Sequence, residues 1–469
     1  MRILLVKPRP ESVQFGLAPF FQTEPLGLEY IAAALKGRGH SVMVADMRFL
    51  RRRMPGLLHD YSPDVVGISC LHILDTSATL QLAEDSKRFR KDMFVVVGGH
   101  AASAYPDAFR QSTCIDAIGI GEGEELMPAL CDALASRRPP DEIPSLLLPT
   151  GQGEFYRTST QSGLLTLESV KTPDRSSVAG YLKNYCCLNY MPVSTLETTR
   201  GCPHRCKFCS VWQFYKGSCR FHPPESVRAD FESTGRNLFV IDDIFWADMT
   251  RSEELAKVLL SSRERKNWML VQSRTDLVAE NPGLLQIWRP LSKKIDIFFG
   301  FESPAGNRLD GLNKGFQVSA TVEAIQVARS LDYGVTGNFI IDPDYAEEDF
   351  EGLWAFLEEN RLFRVGFTIL TPLPGTHYFE QLKSRLEVFD WNQYDLHHLL
   401  WRPRLPVERF FELYCETWRR SVLNLAGKKR WWNWLKEVRP HQLPRLARIL
   451  WRTQKLMAPK AYMKETRVL

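Results

Sequence analysis

The chain has 469 residues, 44% apolar and 25% charged, the balance of a globular protein too long for one ordinary domain. No basic-plus-apolar leader precedes the run "RILLVKP" and no eighteen residues in a row are apolar, so export and membrane spanning lack support and a cytoplasmic location is expected. The net charge of +5 is uneven, because from Trp401 onward 17 Lys or Arg face 5 Glu and no Asp.

Residues 1–136 alternate apolar, β-branched runs ("RILLV", "SVMVAD", "VVGISC", "MFVVVGG", "DAIGIGEGE") with helix-like stretches such as "PLGLEYIAAALKGRGH". Strands that are apolar throughout, separated by amphipathic helices, predict a doubly wound α/β domain with a parallel sheet covered on both faces. Its ligands belong at the carboxyl ends of the strands. That rule nominates Pro8, Asp46, Ser69, Gly98 and Gly99 with His100, and Gly121, Glu122 and Gly123 with Glu124. The dinucleotide fingerprint G-x-G-x-x-G is missing after the first strand, where "VKPRPES" stands, so a nicotinamide site is disfavoured.

Residues 137–190, rich in Pro, Gly, Ser and Thr, read as a linker with a small hairpin. From 191 to 400 six further apolar runs ("STLETT", "NLFVIDD", "WMLVQSR", "IDIFFGFES", "GVTGNFIID", "RVGFTILTP") alternate with helix-like stretches. Six such repeats predict a partial or full (β/α) barrel with its chemistry at the strand carboxyl ends. Residues 401–469 form a basic, Trp-rich helical tail.

Directly after the first barrel strand comes "TRGCPHRCKFCSVWQFY", with Cys202, Cys206 and Cys209 in a C-x3-C-x2-C spacing. In a reducing compartment such thiols are ligands or catalysts, not disulfides. Three thiolates would leave one iron of a four-iron cubane without a protein ligand. The alternatives are a zinc site completed by Cys219, His204 or His222, and unligated thiols.

The loop "CPHRCKFC", with an aromatic before its last cysteine and at the end of the first strand of a six-repeat α/β region, resembles the radical S-adenosylmethionine (SAM) superfamily. The resemblance implies that Cys202, Cys206 and Cys209 hold a [4Fe-4S] cluster, that SAM chelates the fourth iron, and that reductive cleavage yields a 5′-deoxyadenosyl radical. It further implies that Phe208 lies near the adenine, that Asp243 in "VIDD" meets the SAM amino group, and that Arg274 in "SRTD" clamps its carboxylate. Glu302 in "GFES" would meet a ribose hydroxyl or a structural arginine. For Asp243 the competing reading is a helix N-cap, and for Arg274 a plain ion pair. "TPLPGT" (371–376) is expected to be a rigid turn at the sixth strand's end.

With the doubly wound domain in front, residues 1 to about 400 resemble the class B, cobalamin-binding radical SAM enzymes. Against the cobalamin mutases, whose Asp-x-His-x-x-Gly supplies an axial histidine, "ADMRFLRR" has Asp46 but Arg48 in the histidine's place. Most of the class transfer a methyl group from methylcobalamin to an unactivated carbon after hydrogen-atom abstraction, so no acid-base residue is named. The stretch from "LTPLPGTHYF" through Asp390, Tyr394 and Asp395 to "LHHLLWRPRLPVERFF" is similar to the hopanoid C-3 methylase family. The resemblance implies a lipid-like substrate and a reductant such as a flavodoxin or ferredoxin.

The tail's excess of cations beside Trp401, Trp418, Trp431, Trp432, Trp434 and Trp451 suggests peripheral contact with the inner membrane face. Nucleic acid ranks lower because no single-strand-binding module is visible, and a packed helical region with solvated charges is a third reading. Two alternatives to lipid methylation stand beside it: a tetrapyrrole cyclase or methyltransferase of the same class, and a non-catalytic cobalamin-binding protein with structural zinc.

Overall fold

The computed structural model describes residues 1–10, 15, 20–50, 53–150, 154–159, 163–423 and 443–468. The early apolar runs become strands buried on both faces, as in Arg2–Lys7, where Ile3, Leu4, Leu5 and Val6 are all at most 1% exposed. Edge to edge the first sheet runs Ser41–Asp46, Arg2–Lys7, Val65–Ser69, Phe94–Gly98 and Ala117–Gly119, all parallel. The antiparallel strands Leu146–Pro149 and Phe155–Arg157 then extend it. These two come from the segment expected to be a linker: its hairpin exists but adds to the sheet. One apolar layer gathers Leu5, Leu28, Leu35 and Met127, and the other Leu4, Leu58, Leu82 and Phe109. Strand order reverses between Arg2–Lys7 and Val65–Ser69, which opens a crevice at Pro8 and Ser69.

Gly99, directly after the fourth strand, has φ of 104°, and a Cβ there would stand 2.6 Å from the Cys70 carbonyl oxygen. Only glycine fits both conditions. Gly99→Ala is expected to cost about 1–3 kcal/mol of stability, read by urea denaturation against wild type.

The second sheet takes its six parallel strands in chain order: Ser194–Leu196, Asn237–Val240, Trp268–Ser273, Ile295–Glu302, Gly334–Ile341 and Val365–Ile369. Its first and last strands are not paired among the described residues, so the barrel is partial. All six strands fall on the runs expected from the sequence.

The tail is helical at Val407–Leu423, Leu443–Leu456 and Pro459–Glu465. Its first helix completes the barrel core. Trp418 meets the Phe367 ring edge-on at 5.3 Å, Tyr414 donates to the Phe367 carbonyl at 3.0 Å, and Trp401 and Trp418 are 2% and 4% exposed. These two tryptophans therefore do not serve an interface, contrary to the expectation, because the last strand needs an apolar cover. Trp451 is 59% exposed. Trp431, Trp432 and Trp434 lie outside the described residues.

Arg175, in the middle of the connecting segment, ties the lobes together. It donates to Asp230 at 3.1 and 2.9 Å, to Glu24 at 2.9 Å, to Glu29 at 3.4 Å and to the Thr195 carbonyl at 2.7 Å.

Candidate active site

The cysteine loop leaves the first barrel strand through a short hairpin, Thr199–Arg200 against Arg220–Phe221. Gly201 starts it at φ of 91°, where a Cβ would collide with the Ser218 carbonyl. The Cys206 carbonyl accepts from the Cys209 amide at 3.2 Å and from the Trp212 indole N–H at 3.0 Å, which closes a tight turn between the second and third cysteines. Segments after the fourth and sixth strands brace it. Lys207 donates its amide to Leu312 and accepts from the Tyr378 amide, both at 3.1 Å, and Asn313 donates to the Arg205 carbonyl at 2.8 Å.

All three thiols are unpaired, with Cys206 buried and the others partly so. Burial pushes each thiol up, Cys209 to about 12, so the anionic form needs a compensating cation. Among the described residues no three His, Cys, Asp or Glu side chains converge as donors to a single ion do. A tetrahedral four-sulfur zinc site demands that convergence, with each sulfur about 2.3 Å from one centre. A cubane demands less, because each cysteine holds a different iron. The donor set of three thiols on one loop fits the cluster.

The residues expected around SAM surround this loop. Asp243 accepts from the Gly201 amide at 2.9 Å and keeps solvent access, although the protein around it pushes its carboxyl up to about 6. It is not a helix cap; Asp248 caps Met249–Ser261. Arg274 donates through Nε and Nη2 to Asp276, at 3.0 and 2.7 Å, and lies 5.1 Å over the Phe316 ring. Arg274 thus makes an ion pair through one edge of its guanidinium, as the second of the two sequence readings expected. Glu302 sits in a bulge at φ of 58° and is buried against Lys314, 2.6 Å away, instead of an arginine. The Lys314 ammonium lies 5.7 Å over the Phe208 ring. Sequence reasoning missed Lys314; the available signal was a strand ending on a buried carboxylate with "NKGF" in the loop that follows. Gly375 of the proline turn has φ of 82° and packs on Ala104 of the first lobe. Asp390 and Asp395 shape their own loop, accepting from the Asn392 amide and from the His397 and His398 amides, and the Tyr394 hydroxyl donates to the Val388 carbonyl.

Between the lobes lies a cavity of about 480 Å³, lined by Ser103, Gly121 and Glu122 on one side and by Ser210, Phe214 and Gly375 on the other. Gly121 and Glu122 are the only two first-lobe residues named from the sequence that line it. Pro8, Ser69, Gly98 and Gly99 stand at the strand ends without reaching it. Asp46 is 0% exposed and is held by Arg48 at 2.9 and 2.6 Å, while Arg48 also donates to the Thr23 carbonyl at 2.7 Å. The arginine in the histidine's place thus folds onto Asp46, and Asp46 is a buried ion-pair partner instead of a cofactor contact. Gly123 permits close helix packing, since a Cβ would stand 2.7 Å from Ile31 Cδ1. The Glu122 carboxylate is occupied by Arg200, Arg220 and the Leu165 amide. His100 donates or accepts at 2.7 Å to Ser210 Oγ and stacks on Phe214.

Residues 17–131 match the B12 binding domain and residues 196–357 the Radical SAM superfamily. The chain thus joins a B12 binding domain to a radical SAM domain, the pair that makes up the cobalamin-dependent radical SAM enzymes, whose cofactors are a [4Fe-4S] cluster, SAM and cobalamin. Such enzymes need a reductant and a small-molecule substrate. The chain is 28% identical over 426 residues to the hopanoid C-3 methylase of Methylococcus capsulatus, covering 89% of this chain and 79% of that one. It is 25% identical over 447 residues to the anaerobic magnesium-protoporphyrin IX monomethyl ester cyclase of Rubrivivax gelatinosus, covering 91% and 78%. In fold it is similar to the radical S-adenosylmethionine methyltransferase TsrM from Kitasatospora setae, solved with cobalamin and a [4Fe-4S] cluster bound: TM-score 0.65 at 17% identity, over 82% of this chain and 74% of that one. No described helix is long and apolar enough to cross a membrane.

Proposed function

We propose that this chain methylates an unactivated carbon of a lipid, with a hopanoid methylated at C-3 as the favoured substrate. The observation that carries this reading is the similarity to a hopanoid C-3 methylase along 89% of the chain. In this reading Cys202, Cys206 and Cys209 hold the cluster. Phe208, Asp243, Arg274 and Glu302 surround SAM, with Lys314 joined to them through Glu302. The carboxyl ends of the first sheet, at Pro8, Ser69, Gly98, Gly99 and Gly121, approach the cobalamin. When bound, the cluster and SAM supply a radical that removes hydrogen as an atom, and the cobalamin supplies the methyl group. The chain's own task is placement and exclusion of water, so no general base is assigned.

A lipid substrate agrees with the helix Leu443–Leu456, which carries four Lys or Arg and no acid. Leu443, Leu450 and Trp451 are 50%, 44% and 59% exposed on it. Cations beside exposed apolar and indole groups suit the interface of an anionic bilayer, which supports a reading in which the enzyme works in the cytoplasm against the inner membrane face and takes electrons from a flavodoxin or ferredoxin. The test is incubation of anaerobically reconstituted chain with methyl-labelled SAM and either a hopanoid or a chlorin precursor. Label in the hopanoid supports the reading. Label only in the chlorin overturns it in favour of tetrapyrrole chemistry, which the 25% identity to a cyclase makes the second choice.

A further inference from the structure

Both ends of the cysteine loop are gripped by the other lobe. At its neck, Glu122 accepts from Arg200 at 2.9 Å and from Arg220 at 2.9 Å, one arginine on each strand of the hairpin that closes the loop. Glu124 accepts from Arg200 Nη2 at 2.6 Å, and Arg200 Nε goes to Glu197 of the barrel. Arg200 is 4% exposed and stands two residues before Cys202. At the far side, His100 bonds Ser210, the residue after Cys209, at 2.7 Å, and its ring stacks on Phe214 with centroids 4.7 Å apart. Glu122, Glu124 and His100 all stand at the starts of the helices that follow the fourth and fifth strands of the first sheet, directly after their glycine turns.

The interlobe cavity lies among these contacts, with Gly121 and Ser103 on one wall and Ser210 and Phe214 on the other. Any group entering it touches the turns that hold the loop. Short, buried, charge-assisted bonds transmit a displacement instead of absorbing it, since breaking one leaves an unpaired charge in a low dielectric. Partners behind metal ligands likewise fix the ligands' orientation.

We propose that Glu122, Glu124 and His100 are positioning residues for the iron–sulfur loop, through which cobalamin in the first lobe and SAM at the cluster bind with coupled affinities. The proposal rests on the assignment of Cys202, Cys206 and Cys209 as cluster ligands. By linkage, whatever factor cobalamin exerts on SAM affinity, SAM exerts on cobalamin affinity.

The test uses the full chain reconstituted with iron and sulfide, with and without hydroxocobalamin, reading the electron paramagnetic resonance spectrum of the reduced cluster and the Kd for SAM. In wild type, cobalamin is expected to shift the g values and to tighten SAM about tenfold, inside the range of about 5–150-fold typical of coupled sites. Glu122→Gln and Ser210→Ala should keep their iron and cobalamin while the coupling falls to about twofold or less. Ser210→Thr, which retains the hydroxyl, should restore it. His100→Ala combined with Ser210→Ala should lose no more than His100→Ala alone, because the imidazole is the hydroxyl's partner. A wild-type spectrum and SAM affinity indifferent to cobalamin would overturn the proposal, as would full coupling in Ser210→Ala. Should Glu122→Gln fail to fold, Ser210→Ala, which removes one oxygen, still decides. Failure of the ligand assignment looks different: Cys206→Ala would then keep its iron.

Discussion

Cys206→Ala is expected to lose both its iron and its radical chemistry. Wild type should carry about four irons with matching sulfide per chain after anaerobic reconstitution, and the variant distinctly fewer. Incubated with SAM and a strong reductant, the variant should form no 5′-deoxyadenosine above a protein-free control. Cys206 is the most buried of the three cysteines, and its carbonyl organises the turn, so it is the least replaceable. Cys219→Ala is the informative companion. It should keep the cluster, whereas a four-sulfur zinc site would lose its metal along with that thiol. Unchanged 5′-deoxyadenosine from Cys206→Ala would refute the assignment.

Arg175→Met is expected to cost about 3–5 kcal/mol of folding stability, the usual consequence of stripping a cation from buried carboxylates. Glu24, Glu29 and Asp230 are 7%, 0% and 6% exposed, and the arginine reaches all three. Burial already pushes the Glu29 carboxyl up to about 8 from its ordinary 4.5. A carboxyl raised on folding supports the fold below its unfolded value and loses that support as pH rises towards its folded value. Unfolding in urea should therefore show a larger loss at about pH 8 than at about pH 5. An equal loss at both would mean that the three carboxylates do not share the arginine's charge.

Much of this architecture was legible because buried parallel strands are written as unbroken apolar runs. "RILLV", "IDIFFGFES" and the others carry their own signal, and each became a strand where expected. The cysteine loop was legible for a similar reason, since its three thiols lie within eight positions of sequence. Partners distant in sequence were not. Glu302 and Arg274 could be named as charges at strand ends, but their actual partners, Lys314 and Asp276, depend on how the following loops turn. The tail misled in part, because the tryptophans that cover a barrel strand and those that meet a bilayer have the same composition.

The apolar runs that become strands, the thiol spacing and the arginine standing where a histidine would bind cobalt were determined by the sequence alone, since each is a local pattern. Only the tertiary structure decided that Glu122 clamps the neck of the cysteine loop, and that Arg175 in the presumed linker gathers three carboxylates from both lobes. The physical reason is that a buried charge has no preference written next to it in the chain. It takes whichever opposite charge the packed lobes deliver within about 3 Å, and that choice is made only when both lobes are in place.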